Sequence, residues 1–235
     1  MNCIGVDGCG GGWVAVSFDP EGNARSFVCA TINEIWEKSQ PVGLMLVDIP
    51  IGLRDDGPME RLCDLEARKV LGHPRSSSVF PVPCREAVHA PTNEEASRIN
   101  NSKTGRKLSK QTQGIRGKIA EMDSFLQSDL SIRGSLREIH PEVLFRAMND
   151  GKPMKNRKGK KEGFDERMDV LEKRFNGALE LFERSKKELA TFKVKDDDIV
   201  DAMAAAVTAR KGGALRCLPE GPETVKEGLR MVIVY

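Results

Sequence analysis

The residues of this chain best placed to do chemistry are acids at the ends of apolar segments. Asp198 and Asp201 stand three apart in the run Asp196-Asp-Asp-Ile-Val-Asp-Ala-Met-Ala-Ala-Ala-Val. At that spacing both carboxylates face one side of a helix. Acids in the first turn complement the helix dipole, which accounts for Asp196, Asp197 and Asp198. Asp201 lies a turn further in, where the helix is apolar nearly all round, and a buried charge needs a partner or a metal. Asp7 closes the short apolar run Asn2–Asp7 and precedes Gly8 and Gly10–Gly12, a composition that lets a ligand approach the backbone closely. Asp48 closes the apolar run Gly43–Asp48. Glu138 closes Ser135–Ile139, and His140 follows it with a titration range suited to general acid or base work.

Converging carboxylates repel one another unless a cation joins them, and hard divalent ions such as magnesium or manganese prefer carboxylate oxygens. Two such ions about 4 Å apart can hold an attacking water and a leaving oxygen together. The chemistry these acids point to is therefore two-metal hydrolysis of phosphodiester bonds in DNA or RNA. Lys152, Lys155, Arg157, Lys158, Lys160 and Lys161 crowd into one loop and suit contacts to a nucleic-acid backbone that carry no sequence information. Arg106, Lys107, Lys110, Arg116 and Lys118 form a second basic cluster. A solvated loop has the same appearance, so the loop alone decides nothing.

The elements that must position these residues are legible in outline. Asn2–Asp7, Trp13–Phe18 and Ala24–Ala30 read as three strands with short connections, hence an antiparallel meander. Thr31 and Glu34 make a capping pattern for a short helix to about Lys38. Gly43–Asp48 is then a buried strand, and the helical crossover lets it lie parallel to the first. Sites in such sheets form at the carboxyl ends of strands. A helical segment follows from about Pro58 to Gln127, with apolar stripes Met59, Cys63, Ala67, Val70, Leu71 and Ile115, Ile119, Met122, Leu126. Ser135–Ile139 reads as a fifth core strand and is followed by a short helix through Met148. Met168, Leu171, Phe175, Leu179 and Phe182 predict one further amphipathic helix, and Arg230–Tyr235 a closing strand.

Bulk properties narrow the classes. The 235 residues suffice for one large domain, with 39% hydrophobic and 31% charged residues, as in soluble globular chains. A net charge of +2 gives no global pull toward nucleic acid or membrane, so any such function rests on local clusters. The six cysteines form no C-x-x-C pair and read as reduced thiols of a cytoplasmic protein, and the spacings of Cys63, His73, Cys84 and His89 fit no usual zinc pattern. The start of the chain reads directly as a strand rather than a signal peptide, and no stretch is long and apolar enough to span a membrane.

Five segments occur in order: Ile4-Gly-Val-Asp7-Gly-Cys-Gly-Gly-Gly-Trp13-Val, Asp48-Ile-Pro-Ile-Gly-Leu53, Ser78-Val-Phe-Pro-Val-Pro-Cys-Arg85, Glu138-Ile-His-Pro-Glu142 and Asp197-Asp-Ile-Val-Asp-Ala202. Together they resemble domain-of-unknown-function family 429, predicted RNase H-like nucleases distantly similar to RuvC-type resolvases. The resemblance implies an α/β RNase H-like domain over residues 1–235. Its mixed five-stranded sheet would have the order 3-2-1-4-5 with strand 2 antiparallel, flanked by helices, and residues 50–130 would be a helical insertion or cap between strands 4 and 5. It also implies magnesium- or manganese-dependent nuclease chemistry. Asp7 matches the first-strand acid, Asp48 the fourth-strand acid, and Asp198 and Asp201 the paired acids of the last helix. RuvC-type enzymes usually carry Glu at the fourth-strand position, so Asp48 and Glu138 remain alternative ligands. Two other readings stay open: a non-catalytic binding module on the same fold, and an actin- or sugar-kinase-like ATP-binding protein with the glycine run as phosphate cradle. The oligomeric state is open, a homodimer included.

Overall fold

A computed structural model describes residues 1–55, 57, 59–212 and 215–235. The expected opening of the helical segment, Pro58, lies outside the described residues, as does Asp56 within the expected insertion. β1 (Asn2–Cys9), β2 (Gly12–Phe18) and β3 (Ala24–Cys29) form the antiparallel meander. α1 (Ile32–Lys38) is capped by Thr31, whose side chain accepts from the Glu34 N–H. β4 (Val42–Val47) returns parallel to β1. α2 (Leu62–Leu71), α3 (Arg85–Val88), α4 (Asn93–Thr104) and α5 (Lys110–Ser128) intervene before β5 (Leu136–Glu138). α6 (Pro141–Met148), α7 (Lys161–Arg174), α8 (Ala178–Glu188) and α9 (Asp196–Arg210) follow, then β6 (Cys217–Thr224) and β7 (Arg230–Val234).

The protein is mixed α/β. Among the described residues the sheet has seven strands, in the order β3-β2-β1-β4-β5-β7-β6. The first five stand as expected, but the five-stranded sheet is extended by β7, parallel to β5, and by β6 at the edge. β6 holds Pro219, Gly221 and Pro222, a turn-like composition that a strand tolerates at an edge, where half its backbone groups need no partner. The stripe from Met168 to Phe182 is two helices rather than one. Gly177 takes a left-handed conformation between them, and Leu179 is exposed. Met59 likewise is exposed and precedes α2 instead of joining its buried stripe.

Side-chain alternation along the strands divides the core into two layers. Ile4, Val6, Met45 and Val47 pack under α1 and α5. Val14, Val16 and Leu46 pack under α9 on the other face. α9 is buried almost all round, from Ile199 to Ala206 and again at Thr208 and Ala209. Gly5 is what lets it lie so close. A Cβ there would stand 2.1 Å from the Ala202 carbonyl oxygen and 2.2 Å from the Ala206 nitrogen. A side-chain-free β1 residue and a run of alanines thus bring helix backbone onto strand backbone. No described helix is long and apolar enough to cross a membrane, and all six cysteines are free.

Candidate metal centre

Asp7 shares the face of Gly5, two residues back, so it points toward α9. The parallel register pairs Val6 with Val47, which puts Asp48 beside Asp7 on that same face. Asp201 lies one turn before Ala205, whose Cβ faces Gly5, and so faces both from the helix side. The result is a cluster in which one oxygen each of Asp7, Asp48 and Asp201 lies within 4.8 Å of the other two. Asp7 is not the last residue of its strand, since β1 runs on to Cys9 and pairs Asp7 with Val14. Only its pairing to β4 stops there, which opens that edge to the cluster. The glycine run is a two-residue hairpin, with Cys9 paired to Gly12 around Gly10 and Gly11.

The other acids expected at the site lie elsewhere. Glu138 pairs in register with Val47, not Asp48, so its side chain leaves the sheet on the opposite face. There it accepts from Arg61 Nη1 (2.9 Å) and Nη2 (2.7 Å) and from the Ile51 N–H (2.7 Å). Arg61 also grips both oxygens of Asp64, at 2.6 and 2.9 Å, and neither residue was evident as a partner from sequence. Asp198 accepts from the Lys195 N–H at 3.0 Å and so caps its own helix. Its oxygens are not among the three that converge, yet its charge reaches Asp7 and helps to raise that carboxyl. His140 precedes α6, and its buried Nδ1 has no hydrogen-bond partner among the described residues.

The electrostatics of the cluster are those of underpaired acids. Burial pushes the Asp7 carboxyl well above its ordinary range, and Asp48 and Asp201 push it further. Asp48 opens partly to the cleft but is otherwise enclosed by protein, and burial followed by the Asp201 charge raises it to about 8. Burial raises Asp201 as well, and Lys158 pulls it back. Asp7 Oδ1 accepts from the Gly8 N–H at 2.6 Å, and Asp201 Oδ2 from Lys158 Nζ at 2.6 Å. Asp201 Oδ1 is buried and has no hydrogen-bond partner among the described residues. Burial alone lowers the Lys158 ammonium, but Asp201, Asp7 and Asp48 outweigh it and hold the proton on. Burial lowers the His140 imidazole, which favours its neutral form.

A cleft of about 470 Å³ opens over the cluster. Asp7, Asp48 and His140 line it, and Arg75, Ser78 and Lys118 come to it from the segment between β4 and β5. Lys118 donates to the Gly12 carbonyl and lies 4.7 Å from the Trp13 ring. All six cations of the basic loop between α6 and α7 are exposed; of them Arg157 and Lys158 line the cleft, and Lys161 pairs with Asp165. The second basic cluster disperses: Arg106 pairs with Glu60, and Arg116 binds the Val88 and Ala90 carbonyls. A larger cleft of about 970 Å³, near Arg146, Arg210 and Tyr235, contains none of the three clustered acids.

Fold and site together define a mixed α/β protein with a buried acidic cluster able to hold a metal ion, where a carboxyl-terminal sheet edge meets a helix. The chain belongs to the family described as protein of unknown function (DUF429), whose model matches residues 5–224. No curated protein and no solved structure matches the chain significantly.

Proposed function

We propose that this protein is a divalent-metal-dependent nuclease on an RNase H-like fold, hydrolysing phosphodiester bonds of DNA or RNA. The observation that carries this reading is the convergence of Asp7, Asp48 and Asp201 from two adjacent parallel strands and a helix packed across them. The sheet order through β5, with β2 antiparallel, supports the RNase H-like reading of that convergence.

The donor set fits a hard cation. It consists of carboxylate oxygens, and one of them, Asp201 Oδ1, is buried without a hydrogen-bond partner among the described residues. Magnesium or manganese would be held by Asp7, Asp48 and Asp201, and when bound would supply charge neutralisation at a phosphate and a more acidic water. The chain's own residues do the rest. Arg75, Lys118 and Arg157 line the cleft and suit phosphate oxygens, orienting a backbone over the acidic floor. The His140 imidazole in the same cleft is kept in the neutral form that can accept a proton from a reacting group. The insertion between β4 and β5 acts as a cap that supplies one wall of the cleft, within a single domain spanning the chain.

The test is cleavage of branched DNA, RNA–DNA hybrid and single strands with magnesium or manganese, alongside titration of Mn²⁺ alone. Wild type is expected to cut at least one substrate only with metal, and Asp7→Asn to lose both cutting and Mn²⁺ affinity. Wild type and Asp7→Asn equally inert, with no Mn²⁺ bound by either, would sink the reading.

A further inference from the structure

Lys158 takes an unusual place among the basic residues. Although its side chain is partly exposed, its ammonium turns inward and sits 2.6 Å from Asp201 Oδ2 and 3.7 Å from Asp197 Oδ2. The backbone that presents it is clamped from several sides. Arg75 donates to the Met154 and Lys155 carbonyls, both at 2.8 Å. Glu166 accepts from the Lys155 and Asn156 N–H groups, also at 2.8 Å, and Arg167 donates to the Asn156 carbonyl at 3.2 Å. Gly163 lets α7 close on the loop, since a Cβ there would stand 1.9 Å from the Arg157 carbonyl oxygen. Met154 is buried beneath it. Lys158 is thus a cation delivered by a fixed scaffold.

We propose that the centre takes one divalent ion, with the Lys158 ammonium standing as its second cation. This rests on the metal reading above and replaces the two-ion arrangement expected from the acids alone. The donor inventory supports it. One oxygen of Asp201 is committed to Lys158 and one of Asp7 to the Gly8 N–H. Among the described residues each of those acids keeps one oxygen without a hydrogen bond, and Asp48 keeps both. Two ions about 4 Å apart draw on more carboxylate oxygens than one, and those held by Lys158 and Gly8 leave fewer to share. One octahedral ion needs a few carboxylate oxygens and completes its shell with water. Charge points the same way. Within the trio, three acids less one ammonium leave two negative charges, which a single divalent ion balances; Asp197, also paired with Lys158, lies outside the trio.

Lys158 also does what a second ion would do electrostatically, holding fixed positive charge beside the cleft where a phosphate arrives. Lysine is a compact point charge with three donors, suited to replacing an ion rather than gripping a planar group.

The deciding measurement is a count of bound Mn²⁺ at saturation, by electron paramagnetic resonance of the free ion and by calorimetry. Wild type is expected to bind one ion, Lys158→Met two, and Lys158→Arg, which keeps the charge, one. Lys158 is partly exposed, and circular dichroism verifies that each variant is folded. Two ions in wild type, or one in Lys158→Met, would overturn the inference and leave the nuclease reading standing. No ion in any of the three proteins would remove the metal reading and this inference with it.

Discussion

Two groups of buried acids lie on opposite faces of the same sheet, and they are built differently. On the α2 side, Asp64 and Glu138 meet Arg61, and all four carboxylate oxygens accept hydrogen bonds. All three side chains are at most 4% exposed. On the α9 side, one ammonium pairs directly with only one of three clustered acids, and the buried Asp201 Oδ1 has no hydrogen-bond partner among the described residues. A satisfied network rigidifies a fold, whereas an underpaired one is destabilising unless something else joins it. The first group therefore reads as architecture and the second as a place prepared for a cation. The arginine network also serves the other site, because Glu138 and Arg61 both bind the backbone of Ile51, in the turn that follows Asp48.

The contrast is broken most forcefully at Arg61. Arg61→Ala leaves two buried acids unpaired, and a loss of ~3–5 kcal/mol in denaturant unfolding is expected. Added Mg²⁺ or Mn²⁺ should not restore it. Recovery with metal would show that the two groups are not distinct in kind.

At Asp48 the expected sign is the reverse. Its folded carboxyl titrates near 8, raised by burial and then Asp201 from an ordinary value of 3.8. A raised acid favours the protonated folded state, so its stabilisation is full below about pH 4 and is lost as pH rises through about 8. Without metal, thermal melts should show wild type losing ground to Asp48→Asn across that interval. With Mn²⁺ the order should invert at pH 8, since metal binds the ionised form. Parallel melting curves for the two proteins at all pH values would contradict the underpaired description.

The smallest effect is expected at Asp198. Asp198→Ala removes a cap hydrogen bond, for a loss of about 1 kcal/mol. Mn²⁺ affinity should change far less than in Asp7→Asn. A comparable loss of affinity would move Asp198 into the centre and sharpen the boundary between capping acid and ligand.

How far the site could be read before folding differs residue by residue. Asp201 was visible because an acid inside an alanine-rich helix contradicts its surroundings. Asp7 and Asp48 were visible as polar residues at the limits of apolar runs. Glu138 carried the same signal yet faces the other way, because a shift of one residue in strand register exchanges the faces of a sheet. Lys158 was visible only as one of six similar cations. Nothing local distinguishes it, since its position depends on Arg75, Glu166 and Arg167 holding its backbone. Arg61 and Asp64 carry no signal that the sequence analysis singled out, and only their burial beside Glu138 gives them a role.

By itself the sequence determined the alternation of strands and helices through β5 and the acids that had to be explained, because apolar periodicity and the cost of burying charge are local facts. Tertiary structure decided which acids meet. Gly5 against Ala202 and Ala206 sets the depth of α9, and the pairing of Val6 with Val47 sets Asp48 beside Asp7. Convergence is a property of register and packing distance, and neither is written in any one segment.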